Sequence, residues 1–130
     1  MLPLRKRKDL PASVSQVPSV VGRSLTIEGT LESSGEIQIL GRVIGKVIAS
    51  RVVIGVAGYL EGDVLTEDMV LSGAFQGRAY AVSVTVAPSA HIRGRIFHHH
   101  ATVAKEARIE GLMPWRPVNF FEALEDLPEE

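Results

Sequence analysis

The side chains with most chemistry to offer in this 130-residue chain are four histidines, His91 and the run His98-His99-His100. Imidazole is a common metal ligand, so the run invites a metal reading. Along a strand, however, successive side chains point to opposite faces, so only His98 and His100 could share one, and no carboxylate adjoins them in sequence. Structural histidines or a surface ladder are expected, and no metal. Asp63, Glu67 and Asp68 are the nearest approach to a carboxylate cluster, and Ser33, Ser34 and Ser50 are candidate hydroxyl nucleophiles. Catalysis needs an acid, a base or a nucleophile converging on one point. The carboxylates fall where a solvated corner is expected, the serines have no paired base in the sequence, and no Gly-rich phosphate loop of the P-loop kind is present. With no cysteine, disulfides and thiolate metal sites are excluded. The expectation is a protein that is not an enzyme and takes no cofactor.

What positions these residues is a repeat. Its first half, two apolar residues flanking a single residue, reads Ile37/Ile39, Val52/Ile54, Met69/Leu71, Val84/Val86 and Ala101/Val103, with Leu25/Ile27 as a less regular first member. Successive copies lie 15, 17, 15 and 17 residues apart. Its second half places a glycine between apolar residues, as in Val43-Ile44-Gly45-Lys46-Val47, Leu60-Glu61-Gly62-Asp63-Val64 and Ile92-Arg93-Gly94-Arg95-Ile96. Alternation of period two means strand, and Gly35, Gly41, Gly55, Gly58, Gly73 and Pro88-Ser89 punctuate the spaces, so short strands separated by tight turns are expected. Before residue 117 no segment keeps a helical apolar stripe.

Strands this small cannot bury their own apolar faces and are stable only when coils stack into one continuous column. The fold class is therefore all-β, a β-solenoid. Residues 20–113 form its core of about six coils, roughly 25 to 30 Å long at ~4.8 Å per coil. One inward column is Ile27, Val43, Leu60, Phe75, Ile92 and Ile109; another is Leu31, Val47, Val64, Ala79, Ile96 and Met113. Outward neighbours pair opposite charges, Lys46 with Asp63, Asp63 with Arg78 and Arg93 with Glu110. Each exposed pair is worth about 0.2 to 1 kcal/mol, enough to set register more than to hold the rod together. The mid-phrase glycine marks either a corner where a Cβ would clash or merely a small residue.

Composition agrees with one domain: 45% hydrophobic and only 5% aromatic residues suit a thin core of β-branched side chains. Residues 1–19 form a basic tail, with Arg5, Lys6, Arg7 and Lys8 against Asp9, and residues 114–130 form an acidic tail or short cap. Between them positive and negative side chains balance, which argues against a nucleic-acid groove and for no nucleic-acid partner. No apolar run reaches signal-peptide or membrane-spanning length, so a soluble, cytoplasmic chain is expected. The alternating spacing breaks the strict six-residue period of hexapeptide acyltransferases. An ice-binding face is absent too, because the Thr85/Thr102 column continues as Gln38, Val53 and Val70.

The phrases Arg51-Val52-Val53-Ile54-Gly55, Leu60-Glu61-Gly62-Asp63-Val64, Ile92-Arg93-Gly94-Arg95-Ile96-Phe97-His98 and Ile109-Glu110-Gly111 resemble the bactofilins, bacterial cytoskeletal proteins, over about residues 20–113. The resemblance implies a right-handed parallel β-helix with disordered tails. It implies end-to-end polymerisation into filaments without nucleotide, and scaffolding of cell-wall enzymes and shape-determining proteins. It also implies an N-terminal segment that often touches the membrane. Many members carry Phe just before the last Glu-Gly, where this chain has Arg108-Ile109.

Physics points to assembly independently, because an uncapped solenoid exposes unpaired strand edges and the cut face of its apolar column. The expected interface is Leu25, Ile27 and Leu31 at one end and Ile109, Leu112 and Met113 at the other, with a second copy as partner. Val118 to Leu124 folds as a short amphipathic cap or stays free. Leu2, Leu4, Arg5, Lys6, Arg7 and Lys8 are the candidate contact with the inner face of the cytoplasmic membrane, at ~1 kcal/mol per charge and multiplied along a filament. The alternative for that tail is a solvated, solubilising arm. The alternative for the whole chain is a monomeric or small-oligomer solenoid adaptor that binds a partner on one face.

Overall fold

The computed structural model describes residues 19–125. Eight strands, β1 (Ser19–Val21), β2 (Thr26–Glu32), β3 (Glu36–Ile39), β4 (Arg42–Ile54), β5 (Tyr59–Leu71), β6 (Ala74–Val86), β7 (His91–Val103) and β8 (Arg108–Leu112), precede one helix, α1 (Val118–Glu125). Every strand pair is parallel, in the order β1-β3-β4-β5-β6-β7-β8 with β2 also against β4. The chain is a parallel β-solenoid of about six turns.

The strands differ from the short ones expected, since β4 to β7 each run 13 residues. In a stacked coil the ladder bonds run between coils, along the solenoid axis, so the chain bends within a coil without breaking them. Each full coil turns three corners. The first is the mid-phrase glycine, the second skips one residue of the register, as where Ala49↔Thr66 is followed by Arg51↔Asp68, and the third is the turn between strands. The second corner also flips inward and outward parity: Ala49 is buried and Arg51 exposed.

The spacing alternation sits wholly in the third corner. Leu40-Gly41 and Ser72-Gly73 make two-residue turns, whereas residues 55–58 and 87–90 make four-residue turns between strands of equal length. Leu25/Ile27 is not the first member of the Ile37/Ile39 series. That place belongs to Ser19 and Val21, which pair with Ile37 and Ile39, while Ile27 pairs with Val43. The 18-residue step from Ser19 to Ile37 hid this, because the coil adds one residue at Ser33-Ser34-Gly35 to a four-residue turn.

Both inward columns form as the alternation requires. Val43, Leu60, Phe75 and Ile92 are sealed in one, Val47, Val64, Ala79 and Ile96 in the other, and Ile37, Val52, Met69 and Val84 line the third side. Ile27, Leu31, Ile109 and Met113 close the stacks, half-buried against this core.

The corner reading of the glycines holds against the merely-small one. At Gly62 φ is +137°, and a Cβ there would land on the carbonyl oxygen of Gly45 one coil away. Only glycine fits both the torsion and the approach.

Candidate functional site

The solenoid's chemistry is concentrated where stacking stops. At the N-terminal end β1 pairs only β3 and β2 only β4, so one edge of each strand has no strand partner among the described residues. Those edges frame a largely apolar cleft of about 220 Å³ lined by Val20, Val21, Ile27, Leu31 and Ile37 together with Ser19, Glu32 and Ser33. The cleft is the cut end of the core. Leu25 is not among the lining residues; it is exposed in the Gly22–Leu25 turn, its carbonyl accepting from the Arg42 N–H at 3.0 Å.

At the C-terminal end β8 pairs with β7 through Arg108 to Leu112. Ile109 and Met113 continue the inward columns, whereas Leu112 pairs with Arg95 on the outward side and is 59% exposed. Ala101, Thr102 and Val103 form an exposed edge on another side of the same end. The third side is covered. Trp115 forms a parallel bridge with His98, whose N–H donates to the Pro114 carbonyl at 3.1 Å and whose carbonyl accepts from the Arg116 N–H at 2.8 Å.

The segment from Trp115 leads into α1, which lies on the flank of the solenoid and not across its open end. Phe120 stacks 6.1 Å from Phe97 and lies tilted 6.4 Å from Tyr80, the outward members of a column that runs from Glu32 through Ile48 and Leu65. Val20, Val21 and Trp115 were not among the expected end residues, and Phe120 lies in the segment expected as a cap but sits on the flank. The Pro-Trp-Arg-Pro sequence was the available signal for Trp115, since proline in a strand marks an edge.

The six expected interface residues thus fall as two sets at opposite ends. The expected membrane-contact residues, Leu2, Leu4 and Arg5 to Lys8, lie outside the described residues.

The histidines separate. His98 stacks over Ala81 on the inward side, His99 occupies the second corner with its Nδ1 3.0 Å from the Arg116 carbonyl, and His100 points outward beyond it. The shared face expected for His98 and His100 is removed by the parity flip. Among the described residues no three His, Asp or Glu side chains converge as a metal site would require. The carboxylates separate too: Asp63 pairs with Arg78 at 3.8 Å and Asp68 with Arg51 at 3.5 Å, on different sides of the coil. Ser33 and Ser50 use their hydroxyls in corner hydrogen bonds, to the Gly35 N–H and to the Ser34 and Gly35 carbonyls.

Charge ladders run outside the columns. Arg51 bridges Glu36 and Asp68, and Glu110 accepts from both His91 at 3.1 Å and Arg93 at 3.4 Å, tying β8 to β7. The Lys46–Asp63 pair expected from stacking does not form; Asp63 turns to Arg78. The hydrogen bond from His91, with Arg93 and Arg108 nearby, holds the Glu110 carboxyl below the ordinary carboxylate range. Partial burial and a 2.8 Å hydrogen bond to Glu61 push the Tyr59 hydroxyl up.

Among the described residues the parallel solenoid has strand edges without a strand partner at its two ends. Residues 19–113 match Bactofilin, a family described as polymer-forming cytoskeletal. The chain belongs to the bactofilin family. Among solved structures it is similar to the cytoskeletal bactofilin BacA determined by solid-state NMR. The two are 29% identical with a TM-score of 0.72, over 78% of this chain and 99% of that one. No curated protein matches. This bactofilin is a cytoskeletal, polymer-forming protein in a family described by structure and not by catalysis. No helix among its described residues is long and apolar enough to cross a membrane.

Proposed function

We propose that this bactofilin polymerises end to end, without nucleotide, into filaments that position cell-envelope or cell-shape machinery in the cytoplasm. The observation that carries the reading is the N-terminal end: an apolar cleft framed by strand edges that have no strand partner among the described residues. Stacking a second copy there seals apolar surface and pairs those edges at once. Leu25, Ile27 and Leu31, with Ile109, Leu112 and Met113, are the contacts assigned to the two ends.

The partners on this reading are further copies of the chain, the inner membrane surface through Leu2, Leu4 and Arg5 to Lys8, and cell-wall synthesis or remodelling enzymes held along the filament. Electron microscopy of the purified protein without nucleotide tests it. Long thin filaments are expected. Discrete particles at every concentration and salt would sink the reading and leave a solenoid adaptor.

A further inference from the structure

We propose that Pro114–Phe121 is a removable stopper on the C-terminal end of the solenoid, which must come off before a second copy of this chain stacks there. The proposal rests on the end-to-end reading above and adds which end is regulated and by what segment.

The stopper takes up positions that a stacked strand would otherwise use. On the covered side the main-chain N–H and carbonyl of His98 are bonded to Pro114 and Arg116. The outer edge that replaces them is a poor template. Pro114 and Pro117 have no N–H, and the Trp115 carbonyl accepts from the guanidinium of its neighbour Arg116 at 2.8 Å. Proline and awkward side chains are how natural sheets blunt an edge. Among the described residues the N-terminal end has no such cover over its cleft.

Beyond its bonds to His98 and His99, the stopper is held by an aromatic anchor away from the end. Tyr80 and Phe97 stack at 4.8 Å, Phe120 packs against both, and the Arg116 guanidinium sits 5.3 Å from the Phe97 ring and 5.7 Å from the Phe120 ring. Phe121 is buried, packed edge-on to Phe120. An eight-residue helix is too short to persist alone in water, so its position depends on this aromatic anchor. A contact on the flank therefore helps to control access to an end surface it does not touch.

The anchor can be removed without altering either end. In the full chain, Phe120→Asp is expected to lower the protein concentration at which filaments appear by roughly three- to tenfold, the factor associated with one aromatic contact. Phe120→Ala, which removes the ring without adding charge, should act in the same direction. Trp115 is the sole tryptophan, so its fluorescence reports on the stopper alone. Its emission should move to the red as wild-type filaments form. An unchanged or raised onset concentration in both variants, or a blue shift of Trp115 on assembly, would show that the next subunit stacks over the segment in place, and would overturn the stopper while leaving end-to-end stacking intact. Discrete particles from the wild type and both variants would overturn the end-to-end reading itself.

Discussion

Gly62 sits directly over Gly45, with the Gly45 carbonyl oxygen occupying the space a Gly62 Cβ would need. The same relation recurs from Gly45 to Gly111 at one corner of each coil, always with φ between +132° and +144°. Two independent constraints, a torsion and a distance, therefore act at one residue.

These constraints can be separated by mutation. Gly62→Ala meets both and is expected to cost about 3 kcal/mol or more. Gly29→Ala, at φ +137° but with open space around its Cβ position, carries the torsional strain alone and should cost about 1 kcal/mol. Urea unfolding of the two variants checks this; equal losses would mean that the corner gives way to a side chain without strain in the stack.

Much of this architecture is legible in the sequence because a solenoid writes its register directly into spacing. Ile37, Val52, Met69 and Val84 share a column for the same reason that they share a phrase. What the spacing hides is the path between phrases. The parity flip at the second corner leaves no mark in residue type, since Ser50, Glu67, Val82 and His99 occupy it in turn, so alternation alone misplaces His98 relative to His100. The first layer was hidden by a single added residue. The cover on the C-terminal end is Trp115, and Phe120 anchors its segment from the flank; both lie outside the repeat and reach it only through the fold.

Glu110 makes the last strand sensitive to acid. Its carboxyl is held below its ordinary value, so its contribution is fully present above the ordinary carboxylate range, about pH 4.3, and is lost as pH falls through its lowered folded value. Because Glu110 lies on β8 and its partners His91 and Arg93 on β7, acidification should loosen β8 first. Amide exchange of residues 108–112 should rise below the carboxylate range while that of β5 holds, and Glu110→Gln should remove the difference. A uniform response along the solenoid would contradict it.

The basic tail makes a separate prediction. Deleting residues 2–8 is expected to lower co-sedimentation with anionic vesicles, and more strongly for filaments than for dispersed subunits, because many weak contacts act together. Raising salt should weaken binding of the full chain. Equal sedimentation of the two forms would leave the segment as a solubilising arm.

Charge placed at each end discriminates the contacts that sustain a filament. Leu31→Arg puts a cation into the N-terminal cleft, and Ile109→Arg does the same at the last layer of an inward column. Both residues are half-buried against the core, so a long side chain at either position can bend outward and keep its charge in water while the subunit is free. Stacking removes that escape and leaves an unpaired charge in an apolar contact, a loss large enough to dissolve the polymer. Leu112→Arg, on the outward side beside Arg95, adds a like charge at the rim and should weaken filaments in a salt-dependent way. The β circular dichroism should survive in all three variants. Filaments that persist with Leu31→Arg and Ile109→Arg together would place the contact on a side of the solenoid and not at its ends.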